Sequence, residues 1–257
     1  MSLEIAPFAP MLRAQTKIEF IRLLRNPWFS IATVVFPIMF YAFFGLAQAR
    51  MPYMNATVGL YLLASFSAYA VMSISLFSFG ASVAAERGNG ATRLMRAAPL
   101  RPLAYFAGKF IASMAFGGIA VLLLVLFARV AGGVALPAPA LVLLLARLLL
   151  GSLPFVALGF AVGYLAGLNA AVAILNLITL PLAFASGLFV PLDQLPPFVQ
   201  SIAPYLPSYH FGQLAWGAVG ATSEPWQRAA LWLLGYCALF TWVAVRAYYR
   251  EERKEFA

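Results

Sequence analysis

The sequence predicts an all-α polytopic membrane protein of six transmembrane helices, with an N-terminal amphipathic interface helix and short outer re-entrant helices between spans five and six. Three observations carry this. Hydrophobic residues make up 63% of the 257 positions and charged residues 10%, against roughly 45–50% and about 25% in soluble domains. The charges stand in clusters between uncharged runs long enough to cross a bilayer, which takes roughly 20 apolar residues. Lysine and arginine gather in alternate loops. An ordinary soluble enzyme, a disordered chain and a disulfide-stapled secreted domain are excluded.

Pro27 to Leu46 gives 20 residues without a charge and forms span one. Met51 to Ala85 gives 35, enough for span two from about Thr57 to Ala84 after an outer turn around Pro52 and Asn55. Phe110 to Ala128 is span three, and Ala229 to Val245 is the last. The 45 uncharged residues between Arg147 and Asp193 make spans four and five, joined by a tight turn near Tyr164 to Asn169. Span four has two candidate starts: near Ala140, which buries Arg147, or just after it at Leu148. Phe36-Pro37 and Pro181 predict kinks in spans one and five. Ala47-Gln48-Ala49 resembles a signal cleavage site, but the apolar stretch before it is too long, so the span is expected to stay.

Orientation follows from the basic residues. The tail carries Arg13, Lys17, Arg22 and Arg25, and the loop after span two carries Arg87, Arg93, Arg96, Arg101 and Lys109. Arg246, Arg250, Arg253 and Lys254 end the chain. These 13 contrast with Arg50, Arg129 and Arg228 on the other side, which places both termini in the cytoplasm of a plasma or inner membrane. The net charge of +9 is therefore a topology signal, and no nucleic-acid partner is expected. Cys237 is the sole cysteine and His210 the sole histidine, so an intrachain disulfide and a Cys/His metal site are excluded. Ser186-Gly187 with His210 lacks a supporting acid, and no catalytic set is expected.

Three segments are not spans. In Met11 to Arg25 the residues Met11, Ala14, Ile18 and Ile21 follow helical spacing, with Arg13 and Lys17 on the other side and Phe20 and Leu24 spoiling the basic face. This is either a docking helix or a flank that merely sets topology. In the loop Glu86 to Pro102, Gly88 and Gly90 permit a bend, Ala91 to Ala98 allows two helical turns, and Pro99 stops them. Leu94 and Met95 beside Arg93 and Arg96 suit a partner's groove better than water. Outside, Phe189 to Trp226 is broken by six prolines. Pro197 to Ala203 and Tyr209 to Val219 read as short helices, with apolar faces from Phe198, Val199 and Ile202 and from Phe211, Leu214 and Trp216. Tyr205, Tyr209 and Trp226 add an aromatic cap. Within the spans, Ser73, Asn176 and Thr179 serve helix packing or line a path.

These features resemble the ABC-2 family of transporter permeases. The carrying residues are Arg25-Asn26-Pro27 before span one, Glu86-Arg87-Gly88-Asn89-Gly90-Ala91-Thr92 leading to Ala98-Pro99-Leu100, and Pro191-Leu192-Asp193-Gln194-Leu195-Pro196 before the outer segment. The family's acidic-basic-x-x-Gly-Thr pattern is departed from at Ala91, which separates Gly90 from Thr92. The resemblance covers the chain and implies one transmembrane domain, 1–257, with a connecting helix in 1–26, a coupling loop in 85–109 and an outer re-entrant segment in 189–226. It implies a dimer with a second permease, homo- or heterodimeric, and two ABC ATPase subunits in contact with Glu86, Arg87, Gly88, Asn89, Gly90, Thr92, Arg93, Leu94, Met95, Arg96 and Pro99. Met11, Ala14, Lys17, Ile18, Ile21 and Arg25 would form the connecting helix. Phe36, Ser73, Asn176 and Thr179 would line a substrate path among membrane lipids, and Phe198, Ile202, Tyr209 and Phe211 an outer gate.

Gly108-Lys109 has no glycine five residues before and no hydroxyl after, so no phosphate-cradling loop is present. The chain is expected to bind no cofactor or metal, with ATP and Mg2+ on the partner ATPase. A hydrophobic or amphiphilic substrate such as a drug, lipid or glycan-lipid would be exported. The alternatives are an ATP-independent secondary carrier and a membrane-embedded enzyme, and the scarcity of ionisable residues inside the spans argues against the carrier.

Overall fold

The computed structural model describes residues 7–90 and 101–255. Its first boundary is set by Asn26-Pro27. Helix α1 (Phe8–Arg25) ends there, and the Asn26 side chain caps α2 (Pro27–Phe40) by accepting from the Phe29 amide at 3.3 Å. The two helices are bent by 67°. Pro37 lies inside α2, and the helix passes directly into a π turn, Tyr41–Gly45, in which the Leu46 N–H reaches five residues back to the Tyr41 carbonyl at 3.2 Å. The proline at which a kink in span one was expected is thus followed within one turn by a widened segment.

A short antiparallel hairpin, β1 (Pro52–Tyr53) with β2 (Ala56–Thr57), forms the turn before α3 (Val58–Gly88), and the Thr57 hydroxyl accepts from the Leu60 amide to cap that helix. α4 (Pro102–Gly132) stops at Gly133, whose φ of 64° is open to glycine. α5 (Ala138–Gly151) and α6 (Leu153–Leu165) are one path interrupted at Ser152, because Pro154 cannot complete the ladder. After the turn at Ala166 and Gly167 comes α7 (Leu168–Ala185), which runs through Pro181. The outer segment holds α8 (Pro197–Ile202) and α9 (Pro207–Ala218), and α10 (Trp226–Glu255) ends the fold. Pro27, Pro102, Pro197 and Pro207 each open a helix, where the missing N–H has no cost.

Among the described residues four helical stretches are long and apolar enough to cross a membrane, Val58–Gly88, Pro102–Gly132, Ala138–Leu165 and Trp226–Glu251, and five if the bent α1–α2 pair counts as one. Six spans were expected. α7, where another was expected, is apolar but shorter: its 18 residues reach about 27 Å against a hydrocarbon core of about 30 Å. Span four begins at Ala138, so the earlier start holds and Arg147 lies within the helix. Its guanidinium does not stand at a boundary: Nη1 donates to the Leu214 carbonyl of α9 at 3.3 Å.

α3 is the centre of the bundle. Of its most apolar stretch 89% is buried, against 11% for α10. It packs against α2, α4, α6, α7 and α9. Small residues make this possible. A Cβ at Gly159 would lie 2.8 Å from the Leu76 carbonyl oxygen, and one at Gly163 would lie 2.9 Å from that of Gly80, so the α3 and α6 backbones nearly touch. At the far end α9 is buried against α3, α5 and α10. There Trp216 Nε1 donates to Ser65 at 2.7 Å, and the Tyr61 ring stacks on Trp216 at 5.1 Å.

Gly159→Val is therefore expected to destabilise the protein by about 1–3 kcal/mol through overpacking. Gly118→Val, at a position with nothing within 4 Å of the added carbon, should leave stability unchanged. Thermal unfolding of the two variants in detergent checks the contrast.

Candidate functional site: the charged root of the middle loop

The last turn of α3 delivers two opposite charges, Glu86 and Arg87, to the end of the bundle where α1 and the tail of α10 meet. Each charge has its own set of partners. Glu86 turns towards α1 and α4. Its carboxylate accepts from Lys109 at 2.8 Å and directly from Arg22 and the Tyr105 hydroxyl. Ser82, one turn earlier on α3, accepts from Lys109 and from Arg22, each at 2.7 Å. Glu19 completes the cluster, 2.7 Å from Arg22 and 3.3 Å from Lys109. Two acids and two bases thus balance. The Lys109, Glu19 and Glu86 side chains are only 1%, 5% and 12% exposed, and buried charges are tolerated when paired and hydrogen-bonded in this way. Arg22 lies on α1, outside the crossing helices; burial alone would lower its pKa, but Glu86 and Glu19 hold it above the ordinary value.

Arg87 turns the other way. Its guanidinium donates to the carbonyls of Gly163 at 2.6 Å, Tyr164 at 3.0 Å and Ala166 at 3.4 Å, where α6 ends. It also pairs with Glu251 on α10. Adjacent residues therefore tie the root of the loop to α1 and α4 on one side and to α6 and α10 on the other.

Close approach of α1 depends on Gly108. A Cβ there would lie 2.7 Å from Gln15 Cγ and 3.1 Å from the Thr16 backbone nitrogen. α1 consequently docks through Gln15, Thr16, Glu19 and Leu23, with Leu23 in a small cluster with Ile74, Ala112 and Phe116. The apolar stripe read from the spacing lies elsewhere on α1. Ile18 and Ile21 are 60% and 37% exposed, and Ala14, Lys17 and Arg25 are exposed with them. The ion cluster chooses the face, because four charges must be satisfied before an apolar stripe is. Met11 is half-buried, its sulfur accepting from the Arg101 amide at 3.3 Å.

The other sequence candidates fall at distinct places. Gly88, Asn89 and Gly90 continue from the root as the helix ends, while Thr92, Arg93, Leu94, Met95, Arg96 and Pro99 lie outside the described residues. Phe36 and Asn176 are exposed, whereas Ser73 and Thr179 are buried inside the protomer, Thr179 with its hydroxyl turned back to the Leu175 carbonyl at 2.7 Å. The structure therefore does not bring the four together on one surface. Phe198 and Ile202 are exposed on α8. Tyr209 and Phe211 are core residues of α9, with the Tyr209 hydroxyl donating to Glu224 at 2.6 Å and Phe211 packed on Phe155. Among the described residues no group of three or more His, Cys, Asp or Glu could hold a metal ion.

Sequence reasoning missed Glu19, Lys109, Tyr105 and Glu251 as partners. A signal was present. The chain has only eight acids among 17 bases, and Glu19 stands alone among the basic residues of its helix. Such an isolated acid needs a cation near it in space.

A family profile described as "ABC-2 family transporter protein" matches residues 49–246. A protein of Bacillus subtilis (strain 168) named "Putative transport permease YvfS" is 31% identical over 231 residues, covering 90% of this chain and 94% of its own length.

Glu86→Gln leaves two bases facing one acid and is expected to cost about 3–5 kcal/mol. The double variant Glu86→Gln/Lys109→Met restores neutrality and should recover a large part of that loss. A double-mutant cycle on thermal unfolding in detergent checks the coupling.

Proposed function

The chain belongs to the ABC-2 transporter family and is a transport permease, and from that premise we propose that it is the membrane subunit of an ATP-driven exporter. It works with a second permease protomer, as a homo- or heterodimer, and with two ABC ATPase subunits that hold ATP and Mg2+. The chain itself catalyses nothing. It lies in the plasma or inner membrane with both termini in the cytoplasm, a reading supported by its 13 biased basic residues.

The observation that carries the reading is the root of the middle loop. A loop that receives force from an ATPase must pass it to the spans, and Glu86 and Arg87 are joined to four helices besides their own. A push on residues 88–101 is carried through Glu86 to α1 and α4 and through Arg87 to α6 and α10. α3 moves with them as the packed centre of the bundle. In this scheme α2, α3 and α7 reorient, and the cargo leaves at the contact between protomers. An apolar path suits a hydrophobic or amphiphilic cargo, a drug, lipid or glycan-lipid, better than a hydrophilic one.

The buried ions do not favour an ion-coupled carrier. Such carriers expose titratable groups to an ion path, whereas Glu19, Arg22, Glu86 and Lys109 neutralise one another.

Leu94→Asp should reduce transport-stimulated ATP hydrolysis by roughly tenfold or more, the effect of losing an interface hot spot, with membrane insertion intact. Measurement in liposomes with the cognate ATPase checks this. Normal transport by the variant, or transport by the permease alone without nucleotide, would overturn the scheme.

A further inference from the structure

His210 has no part in the transport scheme, yet it sits at a joint of the outer segment. It lies on α9, which is not one of the crossing helices, and is 1% exposed. Its ring stacks on Trp232 of α10, with centroids 5.0 Å apart and planes 9° apart, while the Tyr209 ring meets it nearly at right angles. Nε2 lies 2.9 Å from the Pro204 carbonyl. A carbonyl can only accept, so Nε2 carries the hydrogen. One residue further on, the Tyr205 carbonyl accepts from the Tyr236 hydroxyl of α10. The turn Ala203–Tyr205, which joins α8 to α9, is thus clasped at two successive carbonyls, once by His210 and once by α10.

Nδ1 is the informative atom. It is buried and has no hydrogen-bond partner among the described residues. In the neutral ring it is a bare acceptor, whereas protonation would place an unpaired donor and a positive charge at the same buried spot. Burying an unpaired charge costs more than the attraction of the Trp232 face returns. The charges around the ring do not reverse this. Glu224, in the loop before α10, already accepts from the Tyr209 hydroxyl at 2.6 Å. Burial holds the imidazole below its ordinary pKa; the Pro204 carbonyl and Glu224 act against that shift, and Arg228 at the start of α10 acts with it. From α3 and α5 come Tyr61 and Arg147, which meet Trp216 and the Leu214 carbonyl instead.

We propose that His210 is an acid-released latch of the outer segment: its neutral ring holds the turn Ala203–Tyr205 and α9 against α10, and a proton on Nδ1 frees them. The clasped form binds fewer protons than an opened one, in which the ring meets water and titrates near its ordinary value of about 6.5. Clasping is therefore complete above about pH 6.5 and is lost progressively as the pH falls below it. The latch requires neither a partner ATPase nor a direction of transport.

The chain has a single histidine, so isotope labelling of imidazole nitrogens gives one NMR titration curve for the full chain in lipid nanodiscs, purified on a histidine-free tag. Its midpoint should lie below about 6.5, with Nε2–H as the neutral tautomer. Opening is read from Ser208→Cys in a Cys237→Ser background, because Ser208 is fully buried on α9. Its rate of maleimide labelling is taken relative to that of Ser223→Cys, at an exposed position. That ratio should rise about tenfold from about pH 7.5 to about pH 5.5, the shift supplied by a ring that titrates only when opened. His210→Gln, which keeps a donor for the Pro204 carbonyl but does not titrate in this range, should give a ratio independent of pH. A midpoint at or above about 6.5, a ratio unaffected by pH in the chain that keeps His210, or an equal rise in His210→Gln would overturn the proposal.

Discussion

A buried charge survives only beside its opposite, and at the end of α3 the chain supplies one of each in succession. Successive helical residues point about 100° apart. Glu86 and Arg87 must therefore find their partners on different sides. Glu86 finds Lys109 and Arg22, which sets α4 and α1. Arg87 finds carbonyls at the end of α6 and the carboxylate of Glu251, which sets α6 and α10. Five helices are registered on a single turn, and the low-dielectric setting makes each register expensive to leave.

That arrangement requires α3 to be surrounded, and its composition permits it. Gly80, with Gly159 and Gly163 on α6, brings the two backbones together, and serines stand where larger side chains would hold the neighbours off. The opposite end is secured by different means. There α9 is drawn into the core by Trp216 on Ser65 and by Phe211 on Phe155, and Arg147 reaches across from α5 to a carbonyl of α9. A cation at the C-terminal half of a helix also meets its dipole favourably. One end of the bundle is thus held by ion pairs and the other by aromatic packing.

Several features were legible in the residues because they are local. Asn26-Pro27 ends one helix and starts another in any context, Pro191 to Pro225 forbids a continuous span, and the turn near Tyr164 to Asn169 lies where α6 gives way to α7. Arg147 shows the limit. Periodicity could place it inside or outside a helix, and the answer rests on a carbonyl of Leu214, 67 residues away. The contact face of α1 shows it again. Ile18 and Ile21 make the better apolar stripe, yet Gln15, Thr16 and Glu19 dock, because the deciding partners are Gly108, Lys109 and Glu86.

The sequence by itself determined that the chain lives in a membrane, where its helices break, which side gathers positive charge and to which family the pattern belongs. These are properties of composition and of short windows, and neighbouring residues suffice to express them. Only the tertiary structure decided which charges meet, that Glu86 and Arg87 divide their partners between two sides, and that Ser73, Thr179 and Phe211 lie inside the protomer. The physical reason is that ion pairing and burial depend on distances in space between residues such as Glu19, Glu86, Lys109 and Glu251, which their spacing along the chain does not carry.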